Sequence, residues 1–219
     1  MRSFNKEVAS MFSRVVRLKG DANRTDEAIK LWTQSIQPLI KKQKGYAGVS
    51  LLTNRKTGDG LSVSYWETEQ AMKESRGQIR PEAQQTMASL GGAIVEENEC
   101  EVAVMERFQP PKANVWVRLT TLEADPSKVD TGIADYKSSA VPAVRQQPGA
   151  RAAILLVDRK AGRSFSGTLW DTEKDLENSE AAVGGIRKQI ADKVGAKGPK
   201  VEVFEVAFTE ILTPAAVRR

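Results

Sequence analysis

One stretch of this chain recurs almost intact 104 residues later: SVSYWETEQAMKES, Ser62 to Ser75, returns as SGTLWDTEKDLENS, Ser166 to Ser179. The same offset aligns further positions on both sides: Ser35 with Ser139, Pro38 with Pro142, Gly45 with Gly149, and Arg55-Lys56 with Arg159-Lys160. On the first strand we expect the offset to fall to 101, which aligns Arg17 with Arg118. Because the period has the length of a domain, it predicts duplication of a whole domain rather than a solenoid.

Each copy predicts the same order of strands and helices. Short runs rich in β-branched residues predict four strands in each half, for example MFSRVVRLK and NVWVRLTTL as the first strands. A first helix should open near Thr25 in one copy, and with Asp125 as N-cap and Pro126 in its first turn in the other. Gly45 and Gly149 are expected to end these helices and release the chain into the second strands.

Two further local signals recur in both copies. Thr68 and Thr172 are predicted to cap a second helix, and Asp175 resembles the partner residue of a capping box. Pro38 and Pro142 lie late in the first helices, where a missing amide hydrogen should kink or loosen the last turns.

The resulting order, β-α-β-β-α-β, is that of the ferredoxin-like fold. We therefore predict an α+β chain with two tandem ferredoxin-like halves, residues 1–108 and 114–219, joined by a short stiff linker at 109–113. A sheet with both helices on one face leaves its other face bare, so the two sheets should cover each other and close into an antiparallel β-barrel flanked by helices. This intrachain pseudo-dimer leaves further association into a homodimer open.

Histidine is absent from the chain, which excludes a Ser-His-Asp triad, a histidine-ligated metal and a proximal-histidine haem ligand. Cys100 is the single cysteine, so it forms no intrachain disulfide and no cysteine-built zinc site, and no metal site is expected. The net charge of +5 is small and mixed along the chain, which argues against nucleic acid or an anionic membrane as a partner. No apolar segment suits a membrane span or a signal core, so the sequence favours a cytoplasmic protein.

The segments KGYAGVSLL and YWETEQAM, together with QPGARAAILL and LWDTEKDL in the second copy, resemble the antibiotic biosynthesis monooxygenase family of the dimeric α/β-barrel superfamily. The resemblance covers nearly the whole chain, as two tandem domains. It implies an active cavity between the sheet and the helices. It also implies activities that include cofactor-free oxygenation of polycyclic phenols or quinols and the degradation of haem.

The resemblance also suggests site residues. Haem-degrading members have an asparagine on strand one, a tryptophan at the end of strand three and a histidine on helix two. Asn114 and Trp170 match the first two positions in the second copy, whereas the first copy has Ser13 and Trp66. Near the histidine position stand Arg76 and Glu180, and neither can replace imidazole as an iron ligand.

Each candidate also has a structural interpretation. Trp66 and Trp170 can wedge the second helix against the sheet, and Asn114 can cap the exit of the linker. Functionally, the Asn114 amide would polarise a substrate oxygen. Trp32 and Tyr136 are aligned on the inner face of helix one, where core packing is favoured, although Tyr136 would offer a hydroxyl to a cavity.

Arginines on the first strands are a further candidate set: Arg14, Arg17 and Arg118. An inward arginine would suit a phenolate or a carboxylate. We expect outward, edge-exposed side chains instead.

The favoured function is a cofactor-independent monooxygenase for a small, hydrophobic, electron-rich aromatic ligand such as a phenol, quinol or anthrone, with flavin or haem left open as a cofactor. Its catalytic residues would be Asn114 and Trp170, and its substrate-binding residues Tyr136, Trp66 and Trp32. One alternative is a binding protein that holds a hydrophobic molecule such as haem without turnover. Another is a structural or regulatory barrel module.

Overall fold

The computed structural model describes residues 11–110 and 112–212. The strands are β1 (Phe12–Lys19), β2 (Tyr46–Thr53), β3 (Gly60–Trp66), β4 (Ala93–Arg107), β5 (Trp116–Glu123), β6 (Ala150–Asp158), β7 (Arg163–Trp170) and β8 (Lys200–Ile211). The α-helices are α1 (Thr25–Leu31), α2 (Gln37–Lys41), α3 (Glu69–Ser89), α4 (Val129–Asp135), α5 (Val141–Arg145), α6 (Glu173–Asn178) and α7 (Glu180–Val194). Each half therefore has the β-α-β-β-α-β order that the sequence predicts.

The eight strands form one closed antiparallel barrel in the order β1-β3-β2-β8-β5-β7-β6-β4. The two halves join through their long last strands, because β4 pairs with β1 of its own half and with β6 of the other. In the same way, β8 pairs with β5 and with β2. Among the strands of the described residues, closure leaves no sheet edge unpaired, which confirms the predicted α+β barrel of two ferredoxin-like halves.

Alternate residues on each strand face the barrel interior or the helices. Val15 and Leu61 in one half and Phe165 and Phe204 in the other fill the interior, all at most 2% exposed. Both halves contribute residues to this one core, so the core does not show where one domain ends and the next begins. The proposed domain limits at 1–108, 109–113 and 114–219 stay a prediction.

The first helix of each half is interrupted by a π-helical turn, at Trp32–Ile36 and at Tyr136–Ala140. The amide of Gln37 bonds to the carbonyl of Trp32, five residues back, and Val141 bonds to Tyr136 in the same way. Each π turn directly precedes the segment that contains Pro38 or Pro142, whose missing amide hydrogen removes one helical bond. The helix is thus loosened in the turn before each proline, whereas the last turns, which were predicted to loosen, are α-helical.

The predicted offset of 101 on the first strand is wrong. Arg14 pairs with Ser64 across β1 and β3, and Arg118 pairs with Thr168 across β5 and β7, so the offset of 104 continues through this strand. The structural counterpart of Ser13 is therefore Val117. The counterpart of Asn114 is position 10, which lies outside the described residues.

A charged network closes one end of the barrel. The guanidinium of Arg17 donates two hydrogen bonds to the Glu202 carboxylate, at 2.8 and 2.9 Å. Since β3 and β2 separate β1 from β8 in the barrel, this pair spans the barrel mouth. Glu96 lies 3.6 Å from Arg17 and also bonds to Arg163, which extends the network around the rim.

Within residues 11–110 and 112–212, no helix combines the length and the apolar character that a membrane span requires.

Candidate functional site

Each half encloses a cavity between the outer face of the barrel and its own helices. In the first half the cavity measures about 80 Å³, and its apolar lining includes Trp32, Ile36, Ile40, Ile79 and Met87. In the second half it measures about 90 Å³, and its apolar lining includes Tyr136, Val144, Leu155, Val183 and Ile190. These N-terminal and C-terminal cavities lie where the family resemblance places the active cavity.

The strands supply the polar part of each wall. In the N-terminal cavity, β1 contributes Arg14 and β3 contributes hydroxyls at Ser62 and Ser64. In the C-terminal cavity, β5 and β7 contribute the corresponding Arg118, Ser166 and Thr168. They add the hydroxyls of Thr120 and Ser164, where the first half has Val16 and Gly60. The two-residue period of a strand aims these alternate side chains at the same face, under the helices.

The prediction that Arg14 and Arg118 are edge-exposed is wrong, because each is only 4% exposed and lines a cavity. Arg14 donates to Ser75 Oγ at 3.0 Å and to the Met72 carbonyl. Arg118 donates to Ser179 Oγ at 2.9 Å and to the Leu176 carbonyl. Each guanidinium thus ties the first strand to the second helix.

The N-terminal cavity neutralises its buried arginine with strand carboxylates. Glu97 on β4 lies 3.4 Å from Arg14, 2.9 Å from Arg76 and 3.4 Å from Arg80. Glu99 lies 3.7 Å from Arg14. Burial lowers the pKa of Arg14 from its ordinary value, and the two carboxylates oppose that shift.

The C-terminal cavity lacks these strand carboxylates, since the positions that correspond to Glu97 and Glu99 are Val201 and Val203. Arg118 instead contacts Glu180 on α7, at 3.2 Å, and Glu180 also bonds to Arg187. Burial lowers the pKa of Arg118, with Glu180 opposing the shift and Arg187 adding to it.

Trp32 and Tyr136 are the first residues of the two π turns. Each lines the cavity of its own half, as a substrate-binding role requires. The Trp32 ring lies 5.6 Å from that of Phe208, and its buried indole N–H has no hydrogen-bond partner among the described residues. The Tyr136 hydroxyl donates to the Ile154 carbonyl at 3.2 Å. Burial raises the pKa of Tyr136 to about 12, with Ser166 opposing the shift, so this phenol is a hydrogen-bond donor at neutral pH.

Trp66 and Trp170 are fully buried beneath the cavities and are not among their lining residues. The indole N–H of Trp66 donates to Ser64 Oγ and that of Trp170 to Thr168 Oγ1, both at 3.0 Å. The Arg118 guanidinium lies 5.8 Å from the centre of the Trp170 ring. These rings therefore support the strand residues that line the cavities.

Asn114 lies on the turn before β5, with an exposed side chain and a φ of 55°. Its backbone N–H donates to the Val206 carbonyl at 3.0 Å. Because neither Asn114 nor Trp170 lines the C-terminal cavity, the structure does not bring the two predicted catalytic residues together there. Their catalytic roles stay a prediction that this geometry does not support.

The residues that sequence reasoning missed are the cavity hydroxyls and Arg187. The alternation of polar and apolar side chains along β7 could have indicated Ser164, Ser166 and Thr168, which share one face of the strand. The position of Arg187 in the cavity follows only from the packing of α7.

Cys100 lies buried in the barrel core, where burial raises the pKa of its thiol to about 12 and keeps it protonated. In the described part of the chain, no cluster of His, Cys, Asp and Glu side chains could hold a metal ion.

Residues 11–89 match the model of the antibiotic biosynthesis monooxygenase family. The chain is 29% identical over 212 residues to the uncharacterised protein Rv2557 of Mycobacterium tuberculosis strain H37Rv, covering 97% of this chain and 94% of that one. Over 208 residues it is 25% identical to Rv2558 of the same strain, covering 94% and 88% of the two chains.

Solved structures share the fold at lower identity. The crystal structure of an anthrone oxidase-like protein superimposes with a TM-score of 0.70 at 13% identity, covering 94% of both chains. The heme-degrading enzyme LmHde of Listeria monocytogenes gives a TM-score of 0.51 at 11% identity, covering 88% of this chain and 99% of that chain. At these identities the likeness concerns the fold alone.

Proposed function

Because residues 11–89 match the model of the antibiotic biosynthesis monooxygenase family, we propose that the protein binds a small, electron-rich aromatic molecule between barrel and helices and oxidises it with dioxygen. The observation that carries this proposal is the cavity in each half, with apolar walls and one buried guanidinium. Such a cavity excludes water from a flat apolar ring. The fixed cation in its wall would stabilise a substrate oxygen that becomes negative.

The proposed reaction needs no electrons beyond those of the substrate. An activated methylene loses a proton, and the resulting carbanion gives one electron to dioxygen. The two radicals combine into a hydroperoxide, and loss of water leaves a carbonyl. The sum is R₂CH₂ + O₂ → R₂C=O + H₂O, in which the carbon is oxidised by four electrons and dioxygen is reduced by four.

The residues of the C-terminal cavity would act on the substrate anion. The Arg118 guanidinium would stabilise the enolate or phenolate oxygen, which lowers the pKa of the substrate. Tyr136 would not act as the base, because its raised pKa of about 12 keeps the hydroxyl protonated and donating to the Ile154 carbonyl. Among the described lining residues of this cavity no carboxylate is present, so the proton would reach solvent through the rim, where the half-exposed Glu180 contacts Arg118.

The experiment is a turnover assay with anthrone and a polycyclic quinol under oxygen, following product formation and oxygen uptake. One oxygen consumed per carbonyl formed supports the proposed sum. Tyr136→Phe and its matched variant Trp32→Phe report which cavity acts, because the repeat aligns the two residues. Asn114→Ala should leave turnover unchanged.

Two results would contradict this proposal. No turnover of either substrate class would reject the oxygenase. A loss confined to Asn114→Ala would reject the cavities as its site and support the role predicted from sequence.

A binding protein without turnover is the second candidate function. It is favoured by the absence of a carboxylate from the described lining of the C-terminal cavity and of histidine from the whole chain. Quenching of tryptophan fluorescence by anthraquinone, without consumption of anthrone, would support it. A haem titration followed in the Soret region tests haem as the ligand, and an unchanged spectrum would count against it.

A further inference from the structure

The two cavities differ in charge although they share one architecture. The N-terminal cavity is lined by Arg14, Arg24, Arg76 and Arg80 and by three carboxylates, Asp21, Asp59 and Glu97. The C-terminal cavity is lined by three cations, Arg118, Lys128 and Arg187, and its described lining contains no acidic side chain. A ligand in the first therefore meets a nearly balanced set of charges, whereas a ligand in the second meets a positive field with apolar walls.

The difference arises from substitutions at aligned positions. Val201 stands where the first half has Glu97, and Arg163 stands where it has Asp59. Arg187, whose side chain is only 18% exposed, replaces the small Ala83. These exchanges remove carboxylates from the C-terminal cavity and add one cation to it.

One carboxylate reaches the cations of the C-terminal cavity from its rim. Glu180 bridges Arg118 and Arg187 through its two oxygens, and its side chain is 48% exposed. A Cβ at Gly184 would lie 2.5 Å from Glu180 Oε1, so the missing side chain at Gly184 lets the glutamate fold back over its own helix. A carboxylate from solution could make the same two contacts if Glu180 turned outward.

We propose that the C-terminal cavity binds an apolar anion, an aromatic carboxylate or phenolate, with its charged end between Arg118 and Arg187 and its ring among the apolar side chains. Glu180 holds the two guanidinium groups when the ligand is absent and is displaced by the incoming anion. The N-terminal cavity selects a neutral ligand, because Glu97 already satisfies its arginines and would repel an anion. This inference rests on the small-molecule binding part of the proposed function, and it names the charge class of the ligand.

The test is calorimetric binding of 2-naphthoate and of its neutral isostere 2-naphthamide to the full-length protein. Naphthoate should bind about tenfold more tightly, since its carboxylate pairs with two guanidinium groups as opposite charges, whereas the amide offers them only a neutral carbonyl. Arg187→Gln should reduce naphthoate affinity to that of the amide. Glu180→Gln should raise naphthoate affinity several-fold and leave naphthamide unchanged, because the competing carboxylate is gone.

Matched variants in the other half serve as controls. Arg80→Gln and Arg76→Gln alter the N-terminal cavity, and Arg76 is the aligned counterpart of Glu180. Neither should change the preference for naphthoate. A thermal melt of each variant verifies that it is folded, so a lost preference in Arg187→Gln reports the contact itself.

Four outcomes would overturn the inference. Equal binding of acid and amide rejects the anion site while leaving small-molecule binding intact. If Arg187→Gln still binds naphthoate more tightly than naphthamide, the anion does not bind at Arg187. If Arg80→Gln abolishes this preference, the anion binds in the N-terminal cavity. Failure of both compounds to bind rejects the inference together with the binding part of the proposed function, whereas a lack of anthrone turnover rejects only the oxygenase.

Discussion

The guanidinium of Arg118 donates a hydrogen bond to Ser179 Oγ at 2.9 Å, across 61 residues of sequence. The bond joins the first strand of the C-terminal half to the break between α6 and α7, and Arg14 makes the same bond to Ser75. It fixes the helix that covers the cavity against the strand that lines it.

Replacing Arg118 with methionine should therefore destabilise the fold. The change removes the buried donor to the Ser179 hydroxyl oxygen and one of the donors to the Leu176 carbonyl, which keeps its bond from the Ser179 hydroxyl. We expect a loss of about 1–3 kcal/mol in the free energy of unfolding. Urea unfolding measures it. Arg145→Met, which removes a largely exposed guanidinium stacked 5.0 Å from the Phe108 ring, is the control and should cost much less. Equal losses of unfolding free energy in the two variants would contradict a stabilising role for the hydrogen bonds of Arg118 to the second helix.

Gly149 should not tolerate alanine. It has a φ of 72°, and an added Cβ would lie 2.5 Å from Asp175, so we expect Gly149→Ala to cost at least about 1–2 kcal/mol of unfolding free energy. Gly185 in α7 has open space around it, so Gly185→Ala should stabilise the protein by about 0.5–1 kcal/mol. Thermal melts should shift in opposite directions, and a shift of both in one direction would contradict this assignment.

The barrel-end pair of Arg17 and Glu202 should make the protein sensitive to acid. Burial alone would raise the pKa of Glu202, but hydrogen bonds from Arg17 and Lys200 hold it below its ordinary value. A carboxyl with a lowered folded pKa stabilises the fold fully above its unfolded pKa of about 4.3, and this contribution disappears as the pH falls through the folded pKa. The melting temperature of wild type should fall more steeply than that of Glu202→Gln below about pH 4.3. Parallel curves would show that the pair contributes nothing.

Buried tyrosines should limit stability at high pH. Burial raises the pKa of Tyr46, Tyr65 and Tyr136, and that of Tyr136 reaches about 12. Groups with a raised folded pKa stabilise the fold fully below their unfolded pKa of about 10, and this contribution is lost as the pH rises toward the folded value. An ultraviolet titration should show no ionised tyrosine in the folded protein at pH 10. At higher pH, tyrosinate should appear together with unfolding.

Tyr136→Phe isolates one of these contributions. Its stability should fall less steeply than that of wild type above pH 10, because one buried phenol no longer ionises on unfolding. Below that pH the variant should be less stable, since the bond to the Ile154 carbonyl is lost. An unchanged alkaline slope would argue that Tyr136 is accessible to solvent.

Much of the local structure was readable from the sequence because the signals lie within a few residues of each other. Thr68 and Thr172 accept hydrogen bonds from the third residue after them, as helix caps do. Gly45 and Gly149 do not end the helices, which stop four residues earlier, but their positive φ turns the chain into β2 and β6 as predicted. The repeat then predicted two ferredoxin-like halves. Bare sheet faces required them to close into one barrel.

Sequence by itself thus determined the duplicated β-α-β-β-α-β order and the closure of the barrel, because periodicity, caps and glycines act within one element or between neighbouring ones. Only the tertiary structure decided that Arg14 and Arg118 face the cavities and that Asn114 lies outside them. A two-residue period shows which side chains share a face of a strand. It does not show which face the helices cover, because contacts between residues as far apart as Arg118 and Ser179 form only when the whole chain is packed.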